Sequence, residues 1–133
     1  MFNINKQTDY ALVTVANLRD QKELVPLSYL VKKTHMPPRF LARITAELVK
    51  NKILLSKEGK TGGYKLAKQP KDINLFDFLK IFENDFNVIS CHVEKGLCQC
   101  RVSCHHKNFF QNNLSAIFVN QLKKITLEDV FND

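Results

Sequence analysis

The sequence lacks the features of a membrane-spanning, secreted or nucleotide-binding protein. No apolar run approaches the ~20 residues that cross a bilayer, and the first residues lack the basic and apolar segments of a signal peptide. The chain also lacks a glycine-rich nucleotide-binding loop, and no acid–base constellation stands out. We therefore expect a cytoplasmic protein that does not bind membranes and is not an enzyme.

Cysteine is missing from most of the chain. All 4 cysteines lie within residues 91–104. A disulfide framework usually spreads its cysteines along a secreted chain to join distant segments, whereas a cluster in a cytosolic chain more often binds metal or does redox chemistry. The cysteine distribution therefore favours a metal or redox site over structural disulfides.

Acidic residues are scarce in the first half of the chain. Residues 1–70 contain 13 Lys and Arg against 5 Asp and Glu, whereas residues 71–133 contain 7 against 8. The net charge of +7 therefore arises entirely in the first half. This distribution is expected for a phosphate-facing module joined to a neutral sensing or oligomerisation module, although an ordinary solvated basic face also produces it.

Apolar residues recur at helical spacing in three segments of the first half. The spacing predicts helices over residues 6–19, from Pro26, and from residues 37–38. In the third helix Arg39 and Arg43 lie off the apolar face, near the N-terminal end. Two short helices joined by a tight turn, the second basic near its start, match the helix-turn-helix pattern, although a plain helical hairpin has the same pattern.

A basic hairpin is predicted directly after the third helix. Residues 53–55 and 64–67 read as strands, and the glycine-containing segment 58–63 reads as the turn between them. This order of elements favours a winged helix-turn-helix, in which the hairpin is a wing that reaches phosphates or the minor groove. The candidate DNA-binding residues are Arg39, Arg43, Lys57, Lys60, Thr61, Gly62, Gly63 and Lys65.

The second half is predicted to be helical around the cysteines. Asn74 is placed to cap a fourth helix, and a long helix with a continuous apolar stripe is predicted from near His106 to Lys124. The stripe favours a dimerisation helix, with packing within the chain as the alternative. The fold class is therefore mainly α with a small β-hairpin wing: a winged helix-turn-helix over residues 1–70, then a sensor loop and dimerisation helix over residues 71–133, in one compact domain.

With these elements in place, the chain resembles the IscR and NsrR family of bacterial winged-helix iron–sulfur regulators. The resemblance rests on the order of several short motifs and on three spaced cysteines. The motifs are Thr8-Asp9-Tyr10-Ala11-Leu12, Phe40-Leu41-Ala42-Arg43-Ile44, Gly62-Gly63-Tyr64-Lys65-Leu66 and Ile125-Thr126-Leu127-Glu128-Asp129-Val130. The resemblance implies a homodimer on a pseudo-palindromic operator, with a 2Fe–2S or 4Fe–4S cluster in each subunit whose loss or modification alters DNA binding.

The residues of the cysteine segment allow several kinds of site. Thiolates suit an iron–sulfur cluster because soft sulfur ligands match iron, but zinc binding and reversible thiol oxidation remain alternatives. The resemblance implies that Cys91, Cys98 and Cys104 are ligands. Cys100 is an additional thiol that could replace Cys98, complete a four-cysteine set or take no part.

The resemblance also implies a fourth ligand that is not cysteine. In the nitric-oxide-sensing branch of the family, an acidic residue from helix 1 of the partner subunit completes the cluster, and Asp9 occupies the matching position. In the IscR branch a histidine after the last cysteine does so, and His105 and His106 lie close to that place. We favour Asp9 over either histidine.

The sequence therefore predicts a homodimeric transcription regulator that binds double-stranded DNA and senses redox state, nitric oxide or iron–sulfur status. Two half-sites about one helical turn apart, ~10 bp, would suit such a dimer. A winged-helix regulator with a zinc or thiol switch is the alternative. An iron–sulfur electron carrier is disfavoured because the basic winged half would have no purpose in it.

Overall fold

The computed structural model describes residues 2–89 and 102–132. A 3-10 turn at Pro70–Asp72 and a π-helical turn at Phe109–Leu114 accompany the regular elements. The regular elements are α1 (Lys6–Leu18), α2 (Leu27–Thr34), α3 (Pro38–Lys50), β1 (Leu54–Lys57), β2 (Gly63–Leu66), α4 (Leu75–Leu79), α5 (Ser115–Leu122) and α6 (Leu127–Phe131).

Helices α1, α2 and α3 form the core of the first half. Their buried faces contribute Val15, Leu18, Leu30, Leu41 and Leu48, all fully buried. In α1 and α3 the buried residues recur every three or four positions, so that one stripe of each helix faces the core, and α2 contributes Leu30. The predicted helix-turn-helix is therefore present, with α2 and α3 packed on α1.

The turn between α2 and α3 is made by a residue other than glycine. His35 follows α2 in the left-handed conformation, with a φ of 60°, and its N–H donates to the carbonyl of Val31. Pro37 and Pro38 then begin α3, where proline fits because the first helical N–H groups have no partner within the helix. This turn sets the direction in which α3 leaves α2.

The hairpin after α3 has a regular antiparallel register. Leu54 pairs with Leu66, and Lys57 pairs with Gly63. Tyr64 also pairs with Val25, just before α2, through two backbone hydrogen bonds of 2.8 Å. The hairpin is thus attached to the start of α2 as well as to the end of α3.

The second half returns to the first through α6. Asn74 caps α4 as predicted, since its side chain accepts from the N–H groups of Phe76 and Asp77. The N–H of Leu127 donates to the carbonyl of Ile73 at 3.0 Å, and a capping box of Thr126 and Asp129 begins α6. The chain segment after α5 therefore docks beside the start of α4.

The long helix predicted from near His106 to Lys124 is a helical segment over residues 107–122 that a π-helical turn interrupts. The π-helical turn covers Phe109–Leu114, and the α-helix α5 follows it over Ser115–Leu122. The Ser115 hydroxyl donates to the carbonyl of Phe110, five residues earlier, at 2.9 Å. Hydrogen bonds of this kind compete with the α-helical ladder and are compatible with the wider π-helical turn.

Candidate nucleic-acid interface and metal centre

Helix α3 presents a basic face to solvent. Arg39 and Arg43 are exposed, four residues apart, while Leu41, Ile44 and Leu48 on the opposite side are buried in the core. An α-helix with arginines on its outer face has the width and the donors needed to enter the major groove and bind guanine edges or phosphates. The structure thus brings Arg39 and Arg43 together on one accessible surface.

The wing presents further basic residues beside this face. Lys57, Lys60 and Thr61 are exposed, and Lys65 is half-buried on the returning strand. The wing therefore has the charge and exposure that phosphate contacts need.

Gly62 and Gly63 serve the backbone of the wing. A Cβ on Gly62 would lie 2.0 Å from the carbonyl oxygen of Lys57, and one on Gly63 would lie 2.4 Å from the carbonyl oxygen of Val25. Gly63 also has a φ of +149°. Both glycines are therefore needed for close backbone approach, whether or not they also contact DNA.

The candidate metal ligands lie in two places in the chain. Asp9 is exposed in the first turn of α1. Cys104 is half-buried, with its Sγ 3.8 Å from Nε2 of His106, and His105 is exposed. Cys91, Cys98 and Cys100 lie outside the described residues.

Residues 2–89 and 102–132 of a single subunit do not by themselves form a metal site, because no three histidine, cysteine or carboxylate side chains come together among them. The pair that they do contain fits iron or zinc, since a thiolate and an imidazole nitrogen are ligands that both metals accept. The donor set at Cys104 is therefore compatible with an iron–sulfur cluster whose remaining ligands come from elsewhere.

Sequence reasoning missed two polar residues beside α1. Asn5 is the N-cap of α1, and its side chain accepts from the N–H of Thr8 at 2.9 Å. Glu83 is a buried carboxylate that lies against the same turn. An asparagine three residues before Thr8 is a cap signal that was available in the sequence, whereas nothing near Glu83 marked it as buried.

A second apolar cluster lies outside the main core. Phe86 stacks on Phe2 with ring centroids 5.3 Å apart and contacts Phe76 at 5.0 Å, while Phe2 also contacts Phe118 of α5 at 5.0 Å. All four rings are only half-buried, and the neighbouring Ile117 is 54% exposed. The chain therefore covers this aromatic cluster incompletely.

Electrostatics and membrane propensity add two observations. The backbone N–H of Asn87 stabilises the ionised carboxylate of Asp85 and lowers the pKa of that side chain below its usual value. Within the described ranges, no helix is long and apolar enough to span a membrane.

Comparison with known proteins identifies the family of this chain. The Rrf2 family, described as iron-dependent transcriptional regulators, matches residues 4–133. The transcriptional regulator NsrR of Oceanobacillus iheyensis is 32% identical over 132 residues, which are 96% of this chain and 88% of that protein.

Solved structures agree on the fold. CymR, the global cysteine regulator of B. subtilis, superposes with a TM-score of 0.73 at 17% identity, over 99% of this chain and 98% of the other. IscR of T. potens has a TM-score of 0.67 at 22% identity, over 99% and 88%. The winged-helix fold and the expectation of a regulator that is not an enzyme are confirmed, and the chain belongs to the Rrf2 family of transcriptional regulators.

Proposed function

We propose that this protein is a homodimeric regulator that binds a pseudo-palindromic operator and senses nitric oxide, redox state or iron–sulfur status through a cysteine-ligated cluster. The observation that carries the DNA-binding part is the exposed arginine face of α3 beside the wing. Arg39 and Arg43 are assigned to base edges or phosphates, and the wing residues Lys57, Lys60 and Lys65 to the backbone or minor groove.

Operator binding is tested by replacing Arg43. Arg43→Ala should weaken binding to operator DNA selected from random sequences by about fivefold to 150-fold, because a lost bidentate contact costs about 1–3 kcal/mol. Lys71→Ala is the control, since Lys71 is equally exposed but lies in the neutral half. Fluorescence anisotropy at fixed salt measures both variants, and equal affinities would remove Arg43 from the interface.

The aromatic cluster supports the homodimer. Phe2, Phe86 and Phe118 bring together the N-terminus, the segment before the cysteines and α5, and Ile117, the residue before Phe118 in α5, is 54% exposed. An incompletely covered apolar surface of this kind favours burial against another protein surface. We propose that a second copy of the chain covers this surface. The apolar stripe predicted on the C-terminal helical segment agrees with this, because contacts within one subunit bury it only in part.

Cys91, Cys98 and Cys104 would hold the cluster, with Asp9 of the partner subunit as the fourth ligand and Cys100, His105 and His106 as further candidates. When bound, an iron–sulfur cluster supplies iron centres that react with nitric oxide and oxidants. A carboxylate ligand holds iron less tightly than a thiolate does, so that Asp9 would make one iron easier to attack. The exposure of Asp9 on α1 leaves its carboxylate available to a second subunit.

A zinc or thiol switch remains the second candidate. The separation of 3.8 Å between Cys104 Sγ and His106 Nε2 is compatible with zinc as well as with iron, because a thiolate and an imidazole are also common zinc ligands. All of these candidates use the same DNA-binding surface and differ in whether the cysteines hold a cluster, zinc or no metal. Metal and sulfide analysis of one sample distinguishes them.

A further inference from the structure

Glu83 is a buried carboxylate that neither the DNA-binding face nor the proposed ligand set uses. It is 9% exposed, and its Oε1 accepts from the backbone N–H of Asn5 at 2.7 Å and from the hydroxyl of Thr8 at 2.9 Å. A buried carboxylate is costly unless donors satisfy it, and the N-terminal end of a helix is favourable for negative charge. The first turn of α1 therefore compensates the burial of Glu83.

The residue before Glu83 belongs to the same junction. The carbonyl of Phe82 accepts from the side-chain amide of Asn5 at 2.8 Å, while the other end of that side chain caps α1. Three hydrogen bonds thus join residues 82–83 to residues 5–8. We call this set of contacts the Glu83 junction.

The Glu83 junction is connected to α3 by packing contacts. Tyr10 of α1 meets Phe40 of α3 edge to face, with ring centroids 5.2 Å apart. Phe82 and Ile81 also line an open cleft of about 460 Å³ that Phe40 and Arg43 line as well. A movement of residues 81–83 would therefore change the support of both α1 and the wall that carries Arg43.

The other side of the Glu83 junction leads to the cysteines. Cys91 follows Glu83 by 8 residues, and Asp9 follows Thr8 directly. The backbone after Glu83 is also bonded to the N-terminus, because the N–H of Phe2 donates to the carbonyl of Asn87 at 2.6 Å. Two of the proposed ligands, Asp9 and Cys91, thus follow residues of the junction closely in the chain.

We propose that Glu83 is a positioning residue that couples the state of the cysteine segment to the placement of α1 and Arg43. The proposal rests on the proposed function. When both donors contact Glu83 the junction is closed, and when they separate the carboxylate must move to water, because an unpaired buried charge is strongly unfavourable. This gives the junction two arrangements, which both the cysteine segment and α3 can bias.

Two threonines of α1 provide a matched test. Thr8 and Thr14 are both fully buried, and each hydroxyl makes one hydrogen bond, to Glu83 and to the carbonyl of Tyr10 respectively. Thr8→Val removes a donor to Glu83, whereas Thr14→Val removes a bond within α1 alone. The quantity to measure is the ratio of operator affinities of the full-length protein with and without its cluster.

We expect Thr14→Val to keep the wild-type ratio and Thr8→Val to lower it by about threefold to tenfold, the effect of one hydrogen bond. Glu83→Gln, which keeps an acceptor oxygen, should retain most of the ratio, and Glu83→Ala should lose it. The second measurement is amide hydrogen exchange of the cluster-free protein. Thr8→Val should speed exchange at the start of α1 and across residues 82–89 severalfold, and Thr14→Val should leave residues 82–89 unchanged.

The possible results separate this proposal from the proposed function. A wild-type ratio of one would overturn the cluster-sensing function, and the coupling with it. A wild-type ratio well above one that Thr8→Val preserves would overturn the coupling alone. Unchanged exchange at residues 82–89 in Thr8→Val would also overturn it, because the junction would then not depend on this contact.

Discussion

Asp9, the proposed fourth ligand, lies at a position where a carboxylate also favours the start of a helix. It lies in the first turn of α1, where a carboxylate favours the helix N-terminus, and it is exposed. The cap itself is Asn5, so that α1 does not depend on Asp9 to begin. The carboxylate is therefore free to act as a ligand without cost to the start of the helix.

Asp9→Ala should leave folding and dimerisation intact while shortening the lifetime of the cluster in air. Asp77→Ala is the matched control, because Asp77 is also exposed in the first turn of a helix, α4. Both changes remove one favourable helix-terminal charge, worth about 0.3–1 kcal/mol. Visible absorption followed over time measures cluster loss, and equal lifetimes in the two variants would exclude Asp9 as a ligand.

For single residues, the sequence predicted which side chains are exposed and charged better than it predicted which residues they contact. Arg39 and Arg43 could be placed on the outer face of α3 because the apolar residues of that helix occupy the face that packs on the core. The partners of Glu83 could not be found, since Asn5 and Thr8 lie more than 70 residues away in the chain. Contacts between distant segments depend on packing that local patterns do not encode.

Among the elements, the wing depends on its attachment to α2. Tyr64 of β2 pairs with Val25, and Gly63 lies so close to the carbonyl of Val25 that no side chain fits between them. The two-stranded hairpin is thereby held at a second point, which an isolated hairpin lacks. The wing and the helix-turn-helix are expected to move as one unit.

Gly63→Ala should therefore destabilise the protein and weaken operator binding. The added Cβ conflicts with backbone at 2.4 Å, and strained backbone of this kind costs about 1–3 kcal/mol. Gly59→Ala is the comparison, because Gly59 also has a positive φ but has no atom within 4 Å of an added Cβ. Urea unfolding and amide exchange at Val25 should show a larger loss for Gly63→Ala; equal effects would mean that the attachment is unimportant.

The sequence predicted helix starts more accurately than helix interiors. Pro26 and Asn74 begin helices as expected, because their local chemistry suits helix N-termini. The π-helical turn, with which the hydrogen bond from the Ser115 hydroxyl to the carbonyl of Phe110 is compatible, was missed. Apolar periodicity does not distinguish a π turn from an α turn over so few residues.

For the whole molecule, the positive charge and the half-covered aromatic cluster indicate two different partners. In the proposed function, the basic half presents α3 and the wing to DNA, and the cluster around Phe86 and Phe118 is assigned to a second subunit. The division at residue 70 stays a prediction. Within the second half, backbone pairing of Asn74 with Thr126 joins the start of α4 to the start of α6.

Ile117→Glu should convert the dimer into a monomer, because a charge buried in an apolar interface is strongly unfavourable. Leu55→Glu is the matched control, since Leu55 is 50% exposed and lies on the wing. Sedimentation analysis at micromolar concentration measures the mass of each variant. A dimeric Ile117→Glu protein would place the subunit interface elsewhere.

The presence of the cluster is the central claim, and one sample of protein purified without oxygen tests it most directly. The measurement is the visible absorption spectrum together with the iron, sulfide and zinc content. The account predicts absorption between roughly 320 and 450 nm with matched iron and sulfide, the signature of an iron–sulfur cluster. A colourless protein that contains zinc, or that takes up no metal after attempted reconstitution, would contradict it.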